Sequence, residues 1–494
     1  MKSIVKRWLV AVLFAGAAVL TAQAQGPVLD PAFLLTSATG RPGGYAPIIR
    51  DMVRQPDGKL IVGGDFVALN GRSVVNLARL LPDGQVDTTF AALPVDGEVA
   101  TLALQADGKL LVGGYFATVG GQSRIGIARL LPNGALDPSF LSPFGGGPPF
   151  SYSNVTKIAL QPGRGILVFG LLIPIGSTGP GSVYAARLLE ATGARDATFQ
   201  PGFDAFDIRD VLVQPSGQLV FAGRERAING RQCLVWGALP DGALDPAFVP
   251  LPSPTPSAFV PLAYGLARDP ATGNLYVVAM NNGPGLIFEP VRLLPNGVRD
   301  PAFSTAGTFV PGLTVGAVNS VSVQPNGRLL VGGVIPVVGG GYFGSARLLP
   351  SGALDLSYDS RNGPLTSISK VLVPPDGALL FCGSFRQVGS LPVDCLARML
   401  DANVLSAPAA AALPDALDAW PVPAREVLHL RWPTGRPARQ VALLDGLGRV
   451  VRRQALTAGE PALALPTAGL PPGTYLLQVR FAQGPPAYRR VVVE

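Results

Sequence analysis

The chain has 494 residues and a net charge of +7, with abundant glycine (61) and proline (49) and only 14% charged residues. Its hydrophobic content of 48% excludes a disordered chain. The positive charge lies in the first few residues and in residues 418–494, which hold ten arginines and five acidic residues, so the middle is close to neutral. This distribution excludes a basic footprint for nucleic acid. Short hydrophobic runs between turn-forming clusters predict an all-β protein.

The first 24 residues predict a signal peptide. Lys2, Lys6 and Arg7 precede the apolar run 8–20, and Ala22-Gln23-Ala24 then supplies the small-x-small cleavage pattern. The run is shorter than the roughly 20 apolar residues that span a bilayer, and no later segment qualifies as a transmembrane segment. We therefore expect export, with cleavage near Ala24 and a mature chain that begins at Gln25.

A repeat fills most of the chain: QPDGKLIVGGDF at Gln55 returns as QADGKLLVGGYF at Gln105. An ARLLP-type segment and an xDxxF segment follow this motif in the same order, at similar distances, in most copies. Self-similarity at a steady period indicates a repeat architecture. Aligned on the residue after the first glutamine, seven copies begin 50 to 56 residues apart, at Pro56, Ala106, Pro162, Pro215, Pro270, Pro325 and Pro375.

Each copy predicts four strands, which in copy two cover 99–104, 109–116, 125–131 and 135–140. Asp107-Gly108 and Asn133-Gly134 are typical hairpin turns. A sheet of this size has two apolar faces, and radial stacking of seven sheets buries them, whereas solenoid units are shorter. The pattern predicts a seven-bladed β-propeller over residues 25–403. Copy seven lacks its xDxxF segment, and a spare segment of this type, LDPAF, lies at residues 29–33, before the first copy. We therefore expect an N-terminal strand to complete the seventh blade and close the ring.

These motifs resemble the delta-60 repeat, a bacterial β-propeller repeat of exported proteins, over roughly residues 29–400. The resemblance is strong in copies one, two, six and seven, and weakest in copy five. It implies the fold and export, and it brings no shared catalytic residues.

The composition changes after the propeller. Residues 404–417 are rich in alanine and proline and predict a linker. Residues 418–494 predict about six short strands of a small β-sandwich.

This last segment holds, in order along the chain, a set of recognisable positions: Trp420, Pro421, Pro423, Asp445, Gly448, Arg449, Gly473, Tyr475, Arg489 and Arg490. Through these residues it resembles the type A C-terminal sorting domain of type IX secretion substrates in Bacteroidetes. The family usually has Tyr-Pro-Asn-Pro where this chain has WPVP, and lysines where this chain has its last two arginines. The resemblance implies passage through the outer membrane on the type IX machinery, followed by release or surface attachment.

The sequence predicts no catalytic, cofactor or metal site. The single histidine, His429, has no partner in the pattern that would make it a general base. Cys233, Cys382 and Cys395 are too scattered for a metal site, so buried free thiols are the favoured interpretation, with a Cys382–Cys395 disulfide as the alternative. Glycine pairs such as Gly63-Gly64 indicate close backbone approach within strands rather than phosphate loops.

Two charged positions recur in register. They form either an arginine ring for an anionic ligand or a repeated structural strut, and their presence in nearly every copy favours the strut. The positions are Arg79, Arg129, Arg187, Arg292, Arg347 and Arg398, and Asp87, Asp137, Asp196, Asp245, Asp300 and Asp355.

We expect a monomeric, non-enzymatic binding or adhesion module without a cofactor, whose glycan or protein ligand contacts the loops that join the blades. Aromatic residues in those loops either stack on such a ligand or cap their own loops. Two alternatives stay open: a glycan lyase or hydrolase, which needs a pair of carboxylates in a cleft, and a purely structural envelope protein. The loop aromatics are Phe150, Tyr152, Phe259, Tyr264 and Phe309.

Overall fold

The computed structural model describes the chain from residue 27 to residue 494, apart from the segments named at the end of this paragraph. Within this part the protein is all-β, with one short 3-10 helix at Ser360–Asn362 and no helix suited to crossing a membrane. The predicted signal peptide and the 404–417 linker lie outside the described residues. The gaps are 36, 92, 148–150, 176–182, 203–206, 229–230, 253–261, 282–286, 306–316, 337–341, 365–366, 375, 402–417, 421–422, 433–436, 445–449, 457–461 and 482–486.

The strands of the repeat region are short and follow one another closely. In chain order they are β1 Val28–Leu34, β2 Ala38–Thr39, β3 Ile48–Arg54, β4 Leu60–Asp65, β5 Ala68–Leu69, β6 Arg72–Ser73, β7 Leu77–Leu80, β8 Glu98–Leu104, β9 Leu110–Tyr115, β10 Thr118–Val119, β11 Gln122–Ser123, β12 Ile127–Leu130, β13 Gly146–Gly147, β14 Ser151–Tyr152, β15 Asn154–Gln161 and β16 Gly165–Leu172. They continue with β17 Val183–Leu188, β18 Ile208–Val213, β19 Leu219–Ile228, β20 Arg231–Ala238, β21 Leu251–Pro252, β22 Ala263–Arg268, β23 Leu275–Asn281, β24 Ile287–Leu293, β25 Ala317–Val323, β26 Leu329–Pro336, β27 Tyr342–Leu348, β28 Ile368–Leu372, β29 Ala378–Gly383, β30 Gln387–Val388, β31 Leu391–Pro392 and β32 Leu396–Leu400.

Copies one, two, three, five and six each build one antiparallel sheet from three of these strands, whereas copy four adds β21 and copy seven adds β1 as a fourth strand. We call the first strand of each copy its inner strand, namely β3, β8, β15, β18, β22, β25 and β28. Every inner strand contacts the inner strand of the next copy, and β28 contacts β3. The short hairpins β5–β6, β10–β11 and β30–β31 leave the sheets of copies one, two and seven between their second and third strands.

The predicted fourth strand is wrong in six copies, where the xDxxF segment forms one bridge such as Leu80 to Val86. In copy one the reason is local: Asp87 Oδ1 accepts the Thr89 N–H at 2.9 Å, which turns the chain after the bridge. In copy seven a full strand takes this place. There β1 pairs antiparallel with β32, with Val28 opposite Leu400 and Leu29 opposite Met399.

The hydrophobic cores lie between successive sheets. One core joins Ile61 and Leu77 of copy one to Val99 and Leu110 of copy two. Another joins copies seven and one, because Phe33, Leu380 and Leu396 pack with residues of β3 and β4. Radially stacked sheets bury both faces in this way.

The glycine pairs allow these sheets to approach closely. A Cβ on Gly63 would overlap Val99 of the next copy, and a Cβ on Gly64 would overlap the Ile48 carbonyl of its own sheet. The structural interpretation of the pair is therefore confirmed.

The described residues of the C-terminal segment form seven strands: β33 Asp418–Trp420, β34 Val427–Arg431, β35 Ala438–Leu444, β36 Val450–Ala455, β37 Ala462–Pro466, β38 Gly473–Phe481 and β39 Ala487–Val493. They form two antiparallel sheets, ordered β33-β34-β37 and β36-β35-β38-β39. Leu428 and Leu465 of the first sheet pack with Val441 and Leu477 of the second in one core. This is the arrangement of a small β-sandwich.

Candidate ligand-binding site

All seven inner strands carry a register shift at the same place. In β3 it falls between Ile49 and Asp51, and in β22 between Ala263 and Gly265. A β-bulge of this kind bends the strand and re-aims a side chain. We call the residue after each shift the bulge residue; it stands five positions before the alignment point. The seven are Asp51, Thr101, Lys157, Asp210, Gly265, Ser320 and Lys370.

Four bulge residues accept a backbone N–H from the next copy. Asp51 Oδ2 accepts from Leu102 at 2.8 Å, and Asp210 Oδ2 accepts from Leu266 at 2.8 Å. Two hydroxyls act in the same way: Thr101 Oγ1 accepts from Ile158 at 3.3 Å, and Ser320 Oγ accepts from Val371 at 3.1 Å.

The two bulge lysines also bridge to the following copy. Lys157 Nζ contacts Asp210 at 2.6 Å, and Lys370 Nζ contacts Asp51 and donates to the Met52 carbonyl at 3.1 Å. Burial acts to lower the pKa of Lys157, but the charges of Asp210 and Asp51 and the bond to Asp210 raise it overall. Lys157 therefore stays protonated, and its bridge persists at neutral pH.

Beside these bulges lies a cavity of about 350 Å³, lined by residues of all seven inner strands. We call it the channel-mouth cavity. The residue that precedes each bulge residue also lines this cavity. Two of these seven residues are half-exposed arginines. Arg50 Nε pairs with Glu98 at 2.7 Å, and Arg209 Nε pairs with Asp207 at 2.8 Å. The seven residues are Arg50, Ala100, Thr156, Arg209, Tyr264, Asn319 and Ser369.

A second cavity, of about 620 Å³, is lined mainly by β3 and β28. Leu104, Leu372 and Val373 contribute apolar wall. Arg54 lines it too and pairs with Asp376 of copy seven at 2.6 Å. Because its lining comes from few strands, this cavity brings together fewer polar groups than the channel mouth.

The recurring arginines are struts, as expected. Arg79 Nε donates to Asp87 at 2.8 Å, its guanidinium lies 4.6 Å from the centre of the Phe90 ring, and Nη1 donates to the Pro132 carbonyl of the next copy at 2.9 Å. The same arginine–aspartate pair recurs at Arg129, Arg187, Arg292 and Arg347. Since these charges are satisfied inside the sheets, the arginine ring for an anionic ligand is wrong.

Copy seven completes its strut with residues from the other end of the repeat region. Arg398 Nε donates to Asp30 at 2.7 Å, its guanidinium lies 4.9 Å from the Phe33 ring centre, and Nη1 donates to the Pro82 carbonyl at 2.8 Å. Copy four has Gly237 at the arginine position. A Cβ there would lie 2.5 Å from Phe248, so this ring fills the space of the missing side chain.

Of the predicted loop aromatics, Tyr264 is the one that the structure places in a site. It is half-buried in β22 and lines the channel-mouth cavity, with the Arg209 guanidinium 5.8 Å from its ring centre. Tyr152 lies in β14, and its side chain is not among those described. Phe150, Phe259 and Phe309 lie outside the described residues.

The sorting-signal residues fall in both C-terminal sheets. Trp420 is half-exposed on β33 and stacks on His429 with ring centres 5.8 Å apart, so His429 is a strand-face residue. Tyr475 is buried on β38, which begins at Gly473, and its hydroxyl donates to the Pro471 carbonyl at 2.6 Å.

The other sorting-signal residues contribute less to this picture. Pro423 is exposed, and Arg489 and Arg490 lie in β39, opposite Leu477 and Leu476. Pro421, Asp445, Gly448 and Arg449 lie outside the described residues.

All three cysteines are free and buried, which confirms the favoured interpretation. Burial raises the pKa of Cys395 to about 12 and the pKa of Cys382 further still. Thiols with such pKa values stay protonated, so neither is a nucleophile at neutral pH.

Two family models match the chain. One, described as a domain of unknown function (DUF5122) beta-propeller, matches residues 55–90, 105–140 and 324–358. The other, described as a secretion system C-terminal sorting domain, matches residues 418–494. The chain carries DUF5122 β-propeller repeats and a type IX sorting tail. Both resemblances are confirmed, and the tail supports secretion or display on the outer-membrane surface.

No curated protein matches this chain. Among solved structures, it is similar to the extracellular domain of a putative hybrid two-component system from B. thetaiotaomicron, at 11% identity over 91% of this chain and 55% of that one, with a TM-score of 0.40. It is also similar to a putative oxidoreductase (glucose dehydrogenase) from Thermus thermophilus, at 18% identity over 62% of this chain and 98% of that one, with a TM-score of 0.35. A gluconolactonase from Xanthomonas campestris matches at 13% identity over 76% of this chain and 94% of that one, with a TM-score of 0.33. This chain spans about half the length of the first of these structures. Likenesses this weak say nothing about ligand or reaction.

Proposed function

We propose that this protein is a monomeric, surface-displayed or secreted seven-bladed β-propeller that binds a ligand at the channel-mouth cavity. Its parts are a signal peptide (1–24), the propeller (25–403), a linker (404–417) and the sorting domain (418–494). The observation that carries the proposal is the cavity itself, because every inner strand contributes to its wall. A concave set of convergent polar groups on a rigid scaffold is the usual form of a binding site.

Seven blades in a ring closed by β1 are supported by bonds that repeat across the seam. Arg398 of copy seven bonds to Asp30 and to the Pro82 carbonyl of copy one, as Arg79 bonds to Asp87 and to Pro132 of copy two. The Lys370 bridge to Asp51 likewise joins copy seven to copy one. A ring held at both its inner and outer radius is rigid, and a rigid wall keeps the polar groups of the mouth in place.

The cavity has the size and access that a small ligand needs. About 350 Å³ lies within the range of roughly 300–1,000 Å³ for small-molecule sites. Arg50 and Arg209 keep 44% and 45% of their side chains exposed, so a ligand in solvent can reach them.

The carboxylates in the wall favour binding over hydrolysis. Asp51 and Asp210 each accept a backbone N–H and contact a lysine, so both serve as bridges between copies. A glycosidase needs carboxylates that are available to donate a proton or attack the sugar.

The test has two arms on the protein produced by its host. Surface labelling and limited proteolysis of intact cells, compared with the culture medium, measure export. A glycan and peptide array, probed with the purified protein, measures binding. We expect exported protein and array binding that is lost when wall residues of the cavity change. An exported protein that binds nothing on either array would identify a structural envelope component instead.

A further inference from the structure

We infer that the channel-mouth cavity takes an uncharged, polyhydroxylated saccharide unit, seated on Tyr264. This inference rests on the proposed binding function and names its ligand class. Two observations carry it: the charge balance of the cavity and the ring of Tyr264 next to Arg209.

The charges at the cavity are matched in pairs. Arg50 pairs with Glu98, Arg209 with Asp207, Lys157 with Asp210, and Lys370 with Asp51. Each cation already has a carboxylate beside it, so a charged ligand group would meet a like charge next to the opposite charge that attracts it. A neutral ligand meets no such competition. It gains from the dense alternation of donors and acceptors, which matches a ring of hydroxyl groups that both donate and accept.

Tyr264 supplies the apolar contact that a sugar ring needs. Sugars have one face of C–H groups, and an aromatic ring packs against such a face while polar neighbours bind the hydroxyls at its rim. Tyr264 is half-buried, which fixes its position, and the Arg209 guanidinium lies 5.8 Å from its centre. Arg209 in turn is held by both oxygens of Asp207, at 2.8 and 3.0 Å. The platform and its polar neighbour are therefore oriented before a ligand arrives.

The experiment measures binding of matched saccharides to the whole exported chain by calorimetry and ligand-observed NMR. The probes are neutral oligosaccharides of galactose, glucose, xylose and mannose, the corresponding oligogalacturonates, chitosan oligosaccharides and a peptide panel. Tyr264→Ala removes the platform, and Tyr264→Phe keeps the aromatic ring while removing its hydroxyl. Tyr45→Ala is the matched control, because Tyr45 is 92% exposed and does not line the cavity. Melting curves establish that each variant is folded.

We expect at least one neutral oligosaccharide to bind, with affinity reduced about 10-fold in Tyr264→Ala, largely kept in Tyr264→Phe and unchanged in Tyr45→Ala. Tyr264-dependent binding of charged saccharides or peptides alone would overturn the ligand class and leave the binding function standing. Saccharide binding that Tyr264→Ala retains would overturn the site. No binding by any probe at about 1 mM would overturn the binding function together with this inference.

Discussion

Replacing Phe33 by alanine tests whether β1 is an integral part of the seventh sheet. Phe33 is 1% exposed and packs in the core between copies seven and one, with the Arg398 guanidinium 4.9 Å from its ring centre. Phe303 holds the same position in copy five, where it is 5% exposed and lies 5.2 Å from Arg292. If β1 completes the propeller, the side chains of Phe33 and Phe303 occupy equivalent environments, although Phe33 belongs to the N-terminal segment.

The expected cost follows from this burial. Truncating a buried phenylalanine to alanine lowers the free energy of unfolding by about 3–5 kcal/mol, which includes its contact with the arginine. For a cooperative unit of roughly 370 residues, with an unfolding entropy of about 2.1 cal/mol/K per residue, this lowers the melting temperature by about 4–6 °C.

Differential scanning calorimetry of wild type, Phe33→Ala and Phe303→Ala measures these values. We expect both variants to lose a similar amount. If Phe33→Ala melts within about 1 °C of wild type while Phe303→Ala falls as expected, β1 is a peripheral appendage and the ring-closure argument fails. A separate low-temperature transition in Phe33→Ala alone would instead mean that the seam unfolds independently of the other sheets.

Three further predictions concern acid stability, sorting and processing. Burial acts to raise the pKa of Asp87 and of Asp137, but hydrogen bonds and the neighbouring arginine lower each of them overall. These carboxylates therefore stabilise the folded state at pH values above their pKa in the unfolded chain, which is about 3.9. We expect urea titrations to show that the free energy of unfolding decreases as the pH is lowered from about 4. A free energy of unfolding that stays constant down to about pH 2 would contradict this. A chain that ends near Asn403 should fold but remain in the periplasm, as measured by cell fractionation, and secretion at the full-length level would refute the role of the tail. Mass spectrometry of the secreted protein should find Gln25 at the N-terminus, and a peptide containing Met1 would rule out cleavage.

The repeat was readable from sequence because its markers are residue types at fixed spacing. The orphan LDPAF segment also pointed to the partner of β32, since a missing strand at one end matched a spare one at the other. The fourth strand of the other copies could not be predicted in this way. Its aspartate bonds locally, as Asp87 does to the Thr89 N–H, and the local bond turns the chain where alternation suggested extension.

The site was predicted only through Tyr264. The bulge residues escaped sequence reasoning because Asp51, Thr101, Lys157 and Gly265 share a position rather than a chemistry. The bond that six of the seven make to the next copy becomes visible once the register shift is known, and Gly265 is the exception. Comparing the seven copies at the residue five places before the alignment point would have revealed the bulge position. It would not have revealed that the side chains at this position bond to the next sheet.

The pairing of β1 with β32 has a consequence for the order in which the chain folds. Asp30 and Arg398 are 368 residues apart in sequence, so the first strand to leave the ribosome waits for nearly the last one of the repeat region. Contacts of such separation form late, because the intervening chain must be ordered or looped before they can stabilise anything. During synthesis the growing protein therefore has an open seam, which can close only after β32 has been made. A repeat region that cannot complete its structure until its last strand is made is well suited to being threaded through a membrane first and folded afterwards.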